Sequence, residues 1–251
     1  MLVRSLEFFA PHHQELRKRL ITIFLAIIVC TAVAYGFAEH IARLFLTPLF
    51  HASPLINKLV YTNLPEAFLA YIKLSLLVGL VASFPVILHQ LWTFISPGLT
   101  GSEKKLATVV VFWATVLFAS GAAFAFFAVL PKMLQYFMSY ATPNLEPLPK
   151  FGEYLTFVAR TSLAFGLSFE IPFLMVMAGK AGFIQAGSFR KKRISFYAAI
   201  VVLSFLLTAG DFMATIMLTI PLIGLYEAGI FLTALFGSKP KEPADSTLKK
   251  S

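Results

Sequence analysis

From Leu20 to about Phe37 the chain carries no charged side chain, and five further apolar runs follow it. A bilayer core about 30 Å thick needs about 20 mostly apolar residues per helix. Lipid offers no hydrogen bonds, so a crossing segment must satisfy its backbone internally, and an α-helix does so within one segment. The other runs are about Phe68–Leu91, Leu106–Leu130, Tyr154–Gly179, Ile194–Ala209 and Phe212–Phe236. The second holds Lys73 and Pro85, the third is expected to stop at Pro131, and the fourth contains Arg160, Glu170 and Pro172. The fifth is short, at roughly 24 Å of helix, and only Gly210 and Asp211 part it from the sixth. The reading is an all-α, polytopic membrane protein with six transmembrane helices, the last two short.

Composition closes the alternatives. Hydrophobic residues make up 58% of the 251 and charged residues only 13%, against about 25% charged in a soluble domain. A soluble globule, a disordered chain and a disulfide-stapled fold are all excluded. Cys30 is the single cysteine and lies in an apolar run, so it reads as a small buried side chain. Residues 1–236 are expected to form one transmembrane domain, with 237–251, rich in Lys, Pro and Ser, as a disordered cytoplasmic tail. Ala32-Val33-Ala34 resembles a leader cleavage site, but Glu7 and Glu15 in a long preceding segment argue for an uncleaved first span.

A formal charge of +9 would suggest nucleic acid in a soluble protein. Here its placement reports topology. Fifteen of the 21 basic residues fall on one side of the six-span arrangement, among them Arg17, Lys18, Arg19, Lys104, Lys105 and the run Arg190-Lys191-Lys192-Arg193. Positively charged loops stay in the cytoplasm, so both termini are expected there and no nucleic-acid partner is implied. Outside, residues 38–67 and 131–153 form long proline-bearing loops, read as a cap. Glu39–Phe50 has the spacing of an amphipathic helix lying along the outer surface.

Charges inside spans cost about 2.5–3.5 kcal/mol each near the helix centre, so each demands a reason. Glu170 lies near mid-bilayer, and Pro172, two residues on, removes one helical donor. That pairing suggests a polar cavity or a thinned bilayer; the alternative is a protonated Glu bonded to a neighbouring helix. Arg160 and Lys73 lie in outer turns, within snorkelling reach of the headgroups. Asp211 is placed to cap the sixth helix. Glu227 either pairs with a basic group or stays protonated. Glu15 and Glu103 are acids on a strongly basic face. Each is either neutralised by its own neighbours or receives an incoming cation, bidentately if that cation is a guanidinium.

Several motifs in order carry a family resemblance. His12-His13-Gln14-Glu15-Leu16-Arg17-Lys18-Arg19-Leu20 opens the set, and Phe94-Ile95-Ser96-Pro97-Gly98-Leu99 with Glu103-Lys104-Lys105 follows. Phe165-Gly166, Phe169-Glu170-Ile171-Pro172, Pro221-Leu222 and Leu225-Tyr226-Glu227 complete it. Over nearly its whole length the chain resembles the TatC family, the signal-peptide receptor subunits of the twin-arginine protein translocase. That resemblance implies recognition of twin-arginine signal peptides on folded cargo. It also implies assembly with single-span subunits of the TatA and TatB type and with other copies of the chain. Export would be driven by the proton-motive force in a bacterial cytoplasmic (inner) membrane, without enzymatic activity. Carried over by motif, Glu103 accepts the paired guanidinium groups, Glu15 contributes, and Phe94 and Arg17 shape the same surface. Glu170 matches an intramembrane glutamate of the family, Asp211 its outer turn, and Pro48 a position in the first outer loop. The chain departs from the family pattern at Thr62-Asn63-Leu64-Pro65-Glu66, where the proline is displaced by one, and at Ala209-Gly210 before Asp211.

A proton-coupled secondary transporter using Glu170 and Arg160 is the main alternative, but such folds repeat their pattern between halves, and nothing in the first three spans mirrors Glu170. Neither His-Glu-x-x-His nor Gly-x-Ser-x-Gly occurs, and the five histidines are scattered. No catalytic residue, metal site or cofactor is expected.

Overall fold

A computed structural model describes the backbone of residues 2–52, 59–95, 101–142, 144, 147–180, 186–208 and 210–236. Side chains are described for residues 14–50, 59–93, 108–142, 144, 147–180, 187–208 and 210–236. The expected tail 237–251 lies outside the described residues. In chain order the helices are α1 (Leu2–Gly36), α2 (Ala38–Ala52), α3 (Glu66–Ile95), α4 (Gly101–Phe124), α5 (Leu130–Met138), α6 (Phe151–Lys180), α7 (Ala186–Lys191), α8 (Arg193–Leu207) and α9 (Phe212–Phe236). Five segments, beginning at Gln14, Glu66, Thr108, Phe151 and Phe212, are long and apolar enough to cross a membrane, and Arg193–Leu207 is a shorter apolar helix. The protein is a six-span helical membrane protein. Of the two final helices expected to be short, α8 is, at 15 residues, whereas α9 has 25 and reaches about 37 Å.

Pro131 does not end the third span. Leu130 N–H donates to the carbonyl of Ala125, five residues back, closing a π-helical segment over Ala125–Val129. Pro131 then sits in the first turn of α5, directly after the widened turn. The widened turn lets the helix run on to Met138.

Two compact units divide within α6, residues 1–167 and 168–251. In the first unit, α1 packs against α3, α3 against α4, and α2 against α3 and α5. One core gathers Leu49 of α2, Leu74 of α3, Leu130 and Leu134 of α5, and Tyr154, Leu155 and Val158 of α6. The Tyr154 hydroxyl finds a partner there, donating to the Phe45 carbonyl at 2.7 Å. Pro48 is buried beside Leu49 in the amphipathic helix that the spacing of Glu39–Phe50 foretold. Further along, Phe84 and Phe118 stack with ring centroids 3.7 Å apart.

At Gly79 α1 and α3 approach closely: a Cβ there would meet Thr31 Oγ1 at 2.3 Å and Thr31 N at 2.6 Å. Small residues at such crossings let membrane helices approach backbone to backbone, since lipid supplies no hydrophobic drive between them. Away from that contact, α1 exposes Phe24, Leu25, Ile28, Val29 and Val33. Such a surface suits the hydrocarbon of a bilayer or an apolar partner within it.

The loops before α3 and α6 are joined. Phe151 N–H donates to Val60 O at 3.0 Å, and Val60 N–H to Pro149 O at 3.3 Å, in a single parallel bridge. Glu66, in the first turn of α3, accepts Thr62 N–H at 2.8 Å and Gly152 N–H at 3.3 Å. One carboxylate thus ties the start of α3 to the start of α6. The displaced proline at position 65 leaves this link intact.

In the second unit α8 and α9 form a hairpin, with α7 packed on both. Asp211 caps α9 as expected: its Oδ1 accepts Ala214 N–H at 2.6 Å and its carbonyl accepts Thr215 N–H at 2.9 Å. Gly210 turns the chain with φ at +89°, a conformation that costs any residue with a Cβ.

Candidate functional site

Two contacts between α1 and α3 set an antiparallel register: Thr31 against Gly79, and Arg19 Nη1 donating to the Gln90 carbonyl at 3.3 Å. In that register Glu15, one turn before Arg19 on α1, lies level with the last turn of α3, where Phe94 sits. Arg19 also bonds the Glu15 carboxylate across one helical turn. Its side chain is 14% exposed and that of Glu15 43%. Arg19 is therefore largely absorbed into the helix contact, while the carboxylate it steadies stays open. Arg17, Lys18 and Leu16 are exposed on the same stretch.

Helix α3 ends at Ile95 and α4 starts at Gly101, so Phe94 and Glu103 flank residues 96–100 on the two helices. Both belong by backbone to the end of the first unit that carries Glu15. The side chains of Phe94 and Glu103 lie outside the described ones.

Elsewhere the charged residues that sequence singled out fall in separate places. Glu170 is buried, 6% exposed, two residues before Pro172 in an α6 that continues through that proline. Asp211 is taken up by its cap. Arg160 and Lys73 are exposed. Glu227 is resolved in favour of pairing: its Oε2 accepts from Arg193 Nη2 and its Oε1 from the Tyr197 hydroxyl, both at 2.5 Å. Next to it the Tyr226 hydroxyl donates to the Phe189 carbonyl at 3.0 Å, and Tyr226 stacks on Phe196. These bonds hold α7, α8 and α9 together around the start of α8.

Sequence reasoning missed three of these devices. Arg19 looked like one more basic residue on a basic face, and nothing in its neighbours pointed to a carbonyl 71 positions away. Gly79 carried a usable signal, a glycine within an apolar span with small Thr31 on another. Arg193 was counted as topology, and only its partner Glu227 hinted otherwise.

Among the described residues no group of three or more His, Cys, Asp or Glu is arranged to hold a metal.

With this geometry in hand, comparison with known proteins is specific. The family model for Sec-independent protein translocase protein (TatC) matches residues 11–221. The chain belongs to the TatC family. A TatC protein of Desulforapulum autotrophicum is 34% identical over 245 residues, covering 97% of this chain and 90% of its own length. That of Escherichia coli K12 is 33% identical, covering 95% and 93%. A crystal structure of a twin-arginine translocase receptor, TatC, superposes with a TM-score of 0.81 at 32% identity, over 89% of this chain and 98% of that one. The matched region includes Glu15, Phe94, Glu103, Glu170 and Asp211, and it ends just before the Tyr226–Glu227 pair.

Proposed function

We propose that this TatC-family protein is the receptor subunit of a twin-arginine translocase. It binds twin-arginine signal peptides at the end of the first unit that carries Glu15, Phe94 and Glu103. Both termini lie in the cytoplasm, in a bacterial inner membrane, as the basic residues of α1, α4, α7 and α8 favour. The observation that carries the site is the antiparallel register of α1 and α3, with Arg19 bonded to both Glu15 and Gln90.

The chemistry follows from that arrangement. A guanidinium presents a planar fork that pairs two parallel N–H groups with one carboxylate, which an ammonium cannot reproduce. Glu15 already gives one oxygen to Arg19, so it serves as a partial acceptor held in place. Glu103, three residues into α4, is the primary acceptor, and Phe94 supplies an apolar wall. Surrounding Arg17, Lys18, Lys104 and Lys105 repel cations that lack this geometry, so discrimination comes from pairing against a repulsive background. Single-span subunits of the TatA and TatB type and further copies of the chain complete the translocase, and the proton-motive force drives it. The protein acts as a transport component, without a catalytic step of its own.

The test is photo-crosslinking of a twin-arginine peptide to a probe at Phe94, with a twin-lysine peptide as control. Glu103→Ala is expected to abolish the crosslink and Glu15→Ala to weaken it. Wild-type crosslinking by Glu103→Ala, or equal crosslinking of the twin-lysine peptide, would remove the proposal.

A further inference from the structure

Lys73 and Arg160, the two basic residues that the apolar runs of the sequence enclose, lie on α3 and α6 of the first unit. Lys73 Nζ donates to Thr156 Oγ1 at 3.4 Å, while Thr156 Oγ1 donates to the Gly152 carbonyl at 2.7 Å. Thr156 and Arg160 are four residues apart on α6 and share a face. The two cations therefore flank Thr156, about one helical turn apart.

Their depth is similar. Lys73 is seven residues from the start of α3 and Arg160 nine from the start of α6, or roughly 10 and 13 Å. Those two starts are bonded to each other through Glu66 and Gly152. Helical side chains lean toward the N-terminus, so both cations lean toward the same membrane surface.

Nothing described in the protein neutralises them. Glu66 is engaged by Thr62 and Gly152 N–H groups, and Glu153 pairs with Lys150 at 3.3 Å. Among the described residues no carboxylate bonds Lys73 or Arg160. Two cations side by side that no described carboxylate bonds are suited to receive an anionic group from outside the protein.

We propose that Lys73, Thr156 and Arg160 bind the phosphate of an anionic phospholipid in the leaflet at the N-terminal ends of α3 and α6. The surface around Lys73 favours a lipid over a soluble anion. Leu69 and Leu76 lie four residues before and three after it on the same face, and both are about half exposed. Leu76, deeper in the bilayer, offers an acyl chain its path while the phosphate meets Lys73 and Arg160. An anionic headgroup is preferred, since the ammonium of a zwitterionic one would face two cations. The site is independent of the twin-arginine reading.

The experiment measures binding of phosphatidylglycerol to the detergent-solubilised protein by native mass spectrometry, with phosphatidylcholine and inorganic phosphate as parallel arms. Phosphatidylglycerol is expected to bind best. Lys73→Met and Arg160→Met are each expected to weaken it about fivefold and the double variant about 25-fold, at roughly 1 kcal/mol per basic residue. Lys73→Arg keeps the charge and should retain binding, which separates charge from fold. Unchanged phosphatidylglycerol binding in the double variant overturns the proposal. So does displacement of the lipid by millimolar inorganic phosphate, which marks a free-phosphate site. If the double variant keeps its lipid but loses a co-purifying single-span subunit, the cations serve a partner's carboxylate, and the lipid assignment falls.

Discussion

Gly79→Ala is the most informative single change in the first unit. The added Cβ would sit 2.3 Å from Thr31 Oγ1, 2.6 Å from Thr31 N and 2.7 Å from Thr31 Cα, where ordinary contact is 3.4–4 Å. The hydroxyl can rotate away, but the two backbone atoms cannot, so α1 and α3 must separate locally by about 1 Å. Overpacking of this kind costs about 1–3 kcal/mol. The same separation reaches the proposed recognition end, because the Arg19–Gln90 bond, at 3.3 Å, is already long. Thermal melting of the purified protein in detergent should show the loss directly, and twin-arginine peptide binding should weaken with it. Gly224→Ala is the internal control: its Cβ meets nothing within 4 Å, and alanine is favoured over glycine in a helix by about 1 kcal/mol. It should leave melting unchanged or raise it. Adding Thr31→Ala to Gly79→Ala removes only the hydroxyl contact and should not restore stability. Full rescue by Thr31→Ala, or an unchanged melting temperature for Gly79→Ala alone, would refute the argument from backbone crowding.

Two further substitutions probe the polar bonds that hold each unit. Tyr154→Phe removes the buried hydroxyl bonded to the Phe45 carbonyl and should destabilise by about 1 kcal/mol, read as a lower melting temperature with unchanged peptide binding. Asp211→Ala removes the acceptor of Ala214 N–H and should cost about 0.5–2 kcal/mol, whereas Asp211→Asn, also a good cap, should keep most of it. Equal melting of the two Asp211 variants would show that the cap is not what holds the hairpin.

Much of the architecture was legible in the sequence because membrane insertion is a local property. Each apolar run of about 20 residues declares a span by length and hydropathy, and the proline- and glycine-marked breaks lie close to the helix ends found. Where the expectation about Pro131 failed, the reason was also local but conditional. A proline ends a helix unless the preceding turn changes its bonding, and the five-residue π segment does so. Asp211 was legible for the same reason, since capping needs only the residues that follow it.

The candidate site divides along this line. Glu15, Phe94 and Glu103 could be chosen from motif order as candidates for the proposed site. Choosing them says nothing about whether they meet. That Glu15 lies level with the last turn of α3 depends on how α1 slides against α3, and this register is set by Gly79 admitting Thr31 and by Arg19 reaching Gln90. Likewise, whether Glu227 is paired or protonated rested on the position of Arg193 and Tyr197 around the α8–α9 hairpin.

By itself, then, the sequence determined that this chain lives in a membrane, how many times it crosses, and which family's motifs it carries, because hydropathy and motif spacing act over a few turns of one helix. Only the tertiary structure decided which charges are spent. Arg19 and Arg193 are tied into contacts within the protein, while Lys73 and Arg160 stay exposed and no described carboxylate bonds them. A basic side chain on a helix has the same local sequence signature in either case. What separates the two is whether another helix brings a carbonyl or carboxylate to the cation, as Gln90 and Glu227 do, or only a hydroxyl, as Thr156 does for Lys73, and that depends on packing between segments far apart in the chain.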